Sequence, residues 1–248
     1  MPEIIIIGSG TGIPRLERAS PAILLKTQNA TILLDSGPGT LRQLLKVNVS
    51  FSQLDLILYT HLHPDHVTDL IHFLFVSRCN FQRKKPVFIW GPPGFLKFYN
   101  ALKEAFGYWV EVPEITLLEI HPQTIWAYED VQIKPFTTIH TENSQGYILK
   151  TEGKKICYTG DTDFSENLIN AVKEADLLIC EASFPSFKKV EGHLTPVLAG
   201  KLANLTKVKC LLLTHIYPEC DAIDIVSECR KYYDNPLIIA QDLLQIRI

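Results

Sequence analysis

The sequence predicts an α/β fold in which two mixed β-sheets pack face to face with helices on the outside. Three observations predict it. Short runs rich in isoleucine and leucine, each of strand length, alternate with helical stretches. That mixture occurs in both halves of the 248-residue chain, which suggests two sheets packed face to face. No low-complexity linker divides the halves, so residues 1–248 are read as a single domain, long enough for a full core.

The elements follow in order. Glu3–Gly8, Ala22–Lys26 and Thr31–Asp35 read as strands, and Thr40–Val47 as a helix. Leu54–Tyr59 is an apolar strand that runs straight into a histidine cluster, with a helix from about Val67 to Cys79 behind it. Val87–Trp90 is a strand, Gly91-Pro-Pro-Gly94 a turn, and Phe95–Phe106 a helix. The stretch from Ile115 to Phe136 reads as antiparallel strands. In the second half, Tyr147–Thr151, Ile156–Tyr158 and Leu177–Cys180 are strands, with a helix over Ser165–Lys173. Thr195–Asn204 is a helix with Pro196 in its first turn, where the missing N–H costs nothing. Lys209–Leu213 is a strand, Ala222–Tyr232 a helix, and Leu237–Ala240 the last strand.

Composition excludes several classes. At 46% apolar and 21% charged, the chain is an ordinary globular one. A net charge of −3 argues against a protein that grips nucleic acid over a wide basic surface. A nucleic-acid substrate stays open, because a local patch and bound metals can hold phosphate. Met1–Ile7 is apolar but short and lacks a basic flank, so it reads as a first strand and not a signal peptide. No apolar run reaches the roughly 18 residues that span a membrane. Cys79, Cys157, Cys180, Cys210, Cys220 and Cys229 are scattered without a C-x-x-C pair, which fits reduced thiols in a cytoplasmic protein.

The chemistry concentrates in Leu58-Tyr-Thr-His61-Leu-His63-Pro-Asp65-His66. Three histidines and an aspartate lie within six residues, directly after an apolar strand. An extended turn there can aim alternate side chains at one point and their neighbours at a second. Neutral imidazole and carboxylate are the ligands that catalytic zinc prefers. A polar loop with surface histidines is the ordinary alternative, and the density of the cluster counts against it.

The pattern H-x-H-x-D-H resembles the signature of the metallo-β-lactamase superfamily. That resemblance implies an αββα sandwich, two mixed β-sheets flanked by helices, and a dinuclear metal-dependent hydrolase. Members add four residues in a fixed order, and this sequence supplies each. Asp35 ends Thr31-Ile-Leu-Leu-Asp35, and His140 ends Pro135-Phe-Thr-Thr-Ile-His140. Asp161 sits in Tyr158-Thr-Gly-Asp161-Thr, and His215 ends Leu211-Leu-Leu-Thr-His215. By resemblance, His61, His63 and His140 bind a first metal, and Asp65, His66 and His215 a second, with Asp161 bridging. Asp35 then orients the histidine loop. Two Zn²⁺ are expected, with Mn²⁺ or Fe able to use the same donors.

Two shorter matches point to the ribonuclease Z branch. Cys180-Glu181-Ala-Ser183 is similar to its H-E-A-T element, and His193-Leu-Thr195 to its H-S-T element. In that branch the Glu and His form a proton shuttle. This implies catalytic roles for Glu181 and His193 beside Asp65, because phosphodiester cleavage by a metal-bound hydroxide needs a proton delivered to the leaving oxygen. A loop carboxylate and the polar start of a helix are the ordinary readings of Glu181 and His193. Gly8-Ser-Gly10-Thr-Gly12 looks like a dinucleotide-binding turn, but Pro14 and Pro21 bracket the segment where that fold needs a long helix. The opening instead is similar to the P-x-K-x-R-N loop of the ribonuclease Z branch and of the related arylsulfatase-like hydrolases, with Pro14 and Arg18 kept and Leu16 and Ala19 in place of the Lys and Asn. His72, on the apolar face of a helix, and His121, on a connecting loop, read as structural. Arg78, Arg83, Lys84 and Lys85 form a basic loop cluster, which is usually solvated.

Ribonuclease Z enzymes that cut precursor tRNA carry an arm inserted between the His140 and Asp161 equivalents. Here only 20 residues separate the two, and strands fill them. The expectation is therefore a phosphodiesterase acting on a nucleotide, a cyclic phosphate or short RNA. The alternatives are hydrolysis of a lactone, thioester or aryl sulfate, tRNA 3′-end processing without the arm, or a non-catalytic metal-binding relative. The branch resemblance also implies a homodimer, for which Phe73, Phe75 and Phe81 offer apolar helix surface.

Overall fold

The short apolar runs of the sequence become strands because both of their faces are buried, and they assemble into two seven-stranded sheets. The structure is a computed structural model and describes residues 1–79, 85–122 and 124–248. Its strands are β1 (Glu3–Gly8), β2 (Ala22–Lys26), β3 (Thr31–Leu34), β4 (Leu56–Leu58), β5 (Val87–Gly91), β6 (Ile115–Glu119) and β7 (Trp126–Tyr128). They continue with β8 (Val131–Thr137), β9 (Gln145–Thr151), β10 (Lys154–Tyr158), β11 (Leu177–Glu181), β12 (Leu211–Thr214), β13 (Leu237–Ile239) and β14 (Gln245–Arg247). The helices are α1 (Thr40–Lys46), α2 (Pro64–Val67), α3 (Asp69–Cys79), α4 (Phe95–Phe106), α5 (Glu166–Val172), α6 (Pro196–Leu205) and α7 (Ile225–Arg230).

One sheet runs β14-β1-β2-β3-β4-β5-β6 and the other β13-β12-β11-β10-β9-β8-β7. Each is antiparallel at one end and parallel at the other. β3 to β6 are parallel, as are β10 to β13. Along β1, Ile4 and Ile6 enter the core between the sheets, while Ile5 and Ile7 face the helices. The central core takes Leu34, Leu56 and Leu58 from the first sheet and Leu149, Ile156, Ile179 and Leu212 from the second. Leu44 of α1, Phe73 of α3 and Phe95 of α4 cover the outer face of the first sheet. Leu168 of α5, Leu202 of α6 and Cys229 of α7 cover that of the second. The αββα layering expected from the sequence is present.

Several local expectations change. Ser165 and Thr195 are not helical residues but N-caps, their side chains accepting from the backbone N–H of Leu168 and Leu198. Ile115–Glu119 does not join an antiparallel run with residues 126–136. It pairs in parallel with β5, register Val87 with Ile115, because the helix α4 between them makes a crossover that only parallel strands need. Leu237–Ile239 is not the last strand: Gln245–Arg247 follows and pairs antiparallel with β1. Three residues, two of them exposed, leave no period to read.

His72 is exposed on α3, where it lines an apolar groove with Ile71, Phe75, Phe106 and Trp109. Phe73 is buried against Phe51, so of the residues expected at a dimer surface it is unavailable, while Phe75 is 44% exposed. Phe81, Arg83 and Lys84 lie outside the described residues. Arg78 sits over the Tyr108 ring and Lys85 pairs with Asp55.

Candidate metal centre

The topology gathers the sequence-predicted residues at one edge of the sandwich. Asp35 follows β3, the Thr60–His66 turn follows β4, and His140 lies three residues beyond β8. Asp161 follows β10, Glu181 ends β11, and His215 follows β12. Two of these positions require an uncommon backbone. Asp35 and His215 have φ of 58° and 54°, left-handed values uncommon for residues other than glycine and adopted elsewhere in the chain by turn residues such as Asn48 and Glu152.

Two groups of side chains form. The ligating atoms of His61, His63, His140 and Asp161 lie within 4.8 Å of one another, and those of Asp65, His66 and His215 form a second such group. Asp161 stands between them. Its Oδ2 is 3.6 Å from His140 Nε2 and 3.8 Å from His61 Nε2, while its Oδ1 is 3.4 Å from His66 Nε2 and 3.5 Å from His215 Nε2. His63 Nδ1 comes within 3.0 Å of His140 Nε2. Asp65 Oδ2 is 3.6 Å from His215 Nε2.

The donor set fits a pair of divalent cations. His61 Nε2 and Asp161 Oδ1 are buried without any hydrogen-bond partner, a costly state unless something else satisfies them. Both point into the space enclosed by the two groups. Imidazole and carboxylate at this spacing suit zinc, manganese or iron.

Electrostatics agree. Burial, reinforced by His66 nearby, holds His61 well below its ordinary value. Burial, with His193 and His63 close, brings His140 down to about 4. Burial opposes ionisation of Asp161, but His215 and His66 prevail and hold it well below the carboxylate range. Burial would also lower His66, yet the charges of Asp161 and Asp35 hold it well above its usual value. For a cation to bind on the Asp161 side, His66 must release its Nε2 proton while Nδ1–H stays on Asp35.

Around these groups stands a shell of orienting contacts. Asp35 is fully buried and accepts from Thr60 N–H at 2.8 Å, Thr60 Oγ1–H at 2.9 Å, His66 Nδ1–H at 2.9 Å and Tyr158 O–H at 2.8 Å. Asp35 orients the histidine loop as expected, and it also ties that loop to the second sheet through Tyr158. His140 Nδ1–H donates to Gly192 C=O at 3.0 Å. Glu181 is buried and holds His193 Nδ1–H at 3.1 Å, and it accepts from Thr162 N–H at 2.6 Å. Ser183 Oγ–H donates to Glu181 and lies 2.9 Å from His215 Nδ1. His193 is 4.0 Å from Asp161 Oδ2, and burial would lower its pKa, but the hydrogen bond and charge of Glu181 raise it.

Sequence reasoning missed Tyr158, Ser183 and the aromatic wall beside His193. Phe184 stacks on Tyr217 at 4.3 Å, and Tyr217 lies 5.5 Å from the His215 ring. Position alone could have flagged Tyr158, three residues before Asp161. Ser183 closes the stretch matched to the H-E-A-T element, and the aromatic wall carries no local signal. A cavity of about 260 Å³, lined by His61, His63, Pro92, Gly94 and Asn143, opens on the other side. Arg18, the retained basic residue of the Pro14–Ala19 loop, donates to Ser9 Oγ at 2.8 Å and Ala240 C=O at 2.7 Å, so it anchors that loop.

Known proteins are similar to this chain in sequence and fold. Residues 30–216 match the beta-lactamase superfamily domain. A ribonuclease Z of Thermococcus sibiricus is 30% identical over 298 aligned positions that cover all of this chain and 97% of the relative. A ribonuclease Z of Archaeoglobus fulgidus is 27% identical, covering 99% of this chain and 97% of its own. The crystal structure of the short form of human tRNase Z superposes with a TM-score of 0.80 at 26% identity over 99% of each chain. The metallo-beta-lactamase fold protein YhfI of Bacillus subtilis reaches a TM-score of 0.87 at 20% identity over 99% of this chain and 98% of its own, a likeness of fold. The chain belongs to the beta-lactamase superfamily and, within it, to the ribonuclease Z family. It is a metal-dependent hydrolase. The Thermococcus alignment is at least 50 positions longer than this 248-residue chain, so the relative has that many residues without a counterpart here.

Proposed function

We propose that the protein is a dinuclear zinc phosphodiesterase acting on nucleotide, cyclic phosphate or short RNA substrates. The observation that carries this reading is His193, held by buried Glu181 through Nδ1 and set 4.0 Å from the Asp161 carboxylate. A carboxylate only accepts, so Nδ1 keeps its proton, and in the imidazolium form that Glu181 favours Nε2 carries a second proton to give. That is what a poor leaving oxygen needs.

In this reading His61, His63 and His140 hold one ion, and Asp65, His66 and His215 the other, with Asp161 shared. The ions supply electrophilic polarisation of a phosphoryl oxygen and a nucleophilic oxygen at neutral pH. The chain's own residues do the rest. Asp65, turned by one oxygen toward His66 and His215, leaves its other oxygen to orient the attacking water and take its proton. His193 delivers a proton to the departing oxygen, and Glu181 keeps the ring in place and stabilises its charged form. Ser183 links Glu181 to His215, so proton donor and ion site move together.

The extra residues of the longer relatives support a substrate smaller than a whole tRNA. Homodimer formation belongs to the same proposal, with the groove between α3 and residues 106–110 as the face. Phe75, Phe106 and Trp109 line that groove and are each more than 40% exposed. Light scattering at micromolar concentration checks this part. Among the described residues no helix is long and apolar enough to cross a membrane, which is compatible with cytoplasmic residence.

The test is a substrate panel on zinc-loaded protein. Turnover of bis(p-nitrophenyl) phosphate and of a 2′,3′-cyclic nucleotide, with none of lactones, thioesters or aryl sulfates, is the expected result. Turnover confined to those other esters would replace this reading.

A further inference from the structure

Asp163 lies two residues beyond Asp161 and belongs to neither group of candidate metal ligands. Its hydrogen bonds nevertheless connect three functional segments. Its backbone N–H donates to Ile139 C=O at 2.7 Å, beside His140. Its Oδ2 accepts from Gly192 N–H at 3.0 Å and from Lys189 Nζ at 2.7 Å, and its Oδ1 accepts from Phe164 N–H at 2.8 Å. Gly192 C=O in turn accepts from His140 Nδ1–H at 3.0 Å. The path from Ile139 through Asp163 and Gly192 to His140 closes on itself. His193 is the next residue in the chain.

Gly192 is the pivot. Its φ is 81°, and a Cβ built there would stand 3.1 Å from His140 Nδ1. Residues 186–191 run exposed over the surface, and the chain turns back into the protein at Gly192. Something must hold that turn where its carbonyl meets His140 and its next residue meets Glu181. Of the contacts on the Gly192 N–H side, the Asp163 carboxylate is the one that does so.

We propose that Asp163 is a positioning residue. By accepting the Gly192 N–H it sets the carbonyl that fixes the His140 tautomer, and it places His193 for proton delivery. The inference rests on the reading above, in which His140 binds an ion and His193 serves the leaving group. Lys189 contributes charge at the surface, but the geometry of the turn depends on the acceptor oxygen.

The experiment compares Asp163→Ala, Asp163→Asn and Lys189→Ala in the zinc-loaded protein. Zinc release is followed with a chromophoric chelator, and kcat with a p-nitrophenyl diester and with a dinucleotide. Asp163→Ala should release zinc at roughly 10–100-fold lower chelator strength, the usual effect of losing an outer hydrogen-bond partner. It should also slow the dinucleotide more than the p-nitrophenyl ester. Asp163→Asn keeps one oxygen for Gly192 but turns its amide nitrogen to the Phe164 N–H, so it should fall between Asp163→Ala and the parent, while Lys189→Ala should stay near the parent. If circular dichroism shows Asp163→Ala unfolded, Asp163→Ser, too short to serve both backbone donors, carries the same expectation. Unchanged zinc release together with unchanged leaving-group dependence overturns the inference and leaves the phosphodiesterase reading intact. A fall in Asp163→Asn as deep as in Asp163→Ala also overturns it, since charge and not the acceptor would then matter. A parent protein that holds no divalent ion removes both.

Discussion

The Nε2 atoms of His66 and His215 face each other at 3.3 Å, although the two residues lie 149 positions apart in the chain. Two imidazole lone pairs do not approach so closely unless a proton or a cation lies between them. Asp161 Oδ1 closes on the same point from 3.4 and 3.5 Å. His215→Ala should therefore lower the ion content by one per chain in elemental analysis, while His61, His63 and His140 keep the other. Activity should fall by more than the roughly 10–100-fold that loss of an outer hydrogen bond costs. A variant that still carries two ions would show that His215 is not a ligand.

Asp35 touches no point where an ion would sit, yet three residues donate to it. Asp35→Asn tolerates the left-handed backbone, so it reports on the carboxylate alone. Metal affinity should drop about 10–100-fold. Asp35→Ala should in addition destabilise the metal-free protein by roughly 3–5 kcal/mol, as when one partner of a buried ionic contact is removed. Urea denaturation measures this, and an unchanged midpoint would remove the structural role.

His193→Ala should leave both ions bound. Hydrolysis of a dinucleotide should slow about a hundredfold to ten-thousandfold, the typical cost of a lost general acid. The penalty should shrink for p-nitrophenolate, which departs without a proton. Asp161, His193 and His215 also form a triad with atoms within 4.8 Å of one another, so the alternative is concrete. If the variant loses an ion, His193 is a ligand.

Substrate size gives the fourth prediction. Affinity for structured RNA comes largely from many phosphate contacts. A chain of net charge −3 without the extra residues of its longer relatives has few to offer. A side-by-side assay at physiological salt should show turnover of small phosphodiesters and poor, strongly salt-sensitive cleavage of precursor tRNA. Efficient cut-site selection on precursor tRNA would mean that another surface replaces the missing arm.

Much of this site is legible in the sequence. His61, His63, Asp65 and His66 are close in the chain, so one turn after one strand delivers them, and their pattern is visible without a structure. Asp35, Asp161 and His215 each end a recognisable apolar run. The strands and most helices follow from apolar runs of the right length, a local property. The roles of Tyr158 and Ser183 are illegible for the opposite reason. Each lies in a motif segment, but its partner, Asp35 for Tyr158 and His215 for Ser183, arrives from elsewhere in the chain.

The sequence by itself therefore determined the candidate ligand types, their order and the strands that carry them, since apolar runs and residue spacing act over a few positions. The tertiary structure alone decided which segments meet. It placed β6 in parallel with β5 and closed the first sheet with β14. It turned the two oxygens of Asp161 to opposite groups of histidines. It also held Asp35 and His215 at positive φ, a strain that surrounding contacts must sustain. Each of these depends on strand pairing and register between distant parts of the chain, and such pairing is set by burying both sheets around one core, which leaves no mark at any single stretch of sequence.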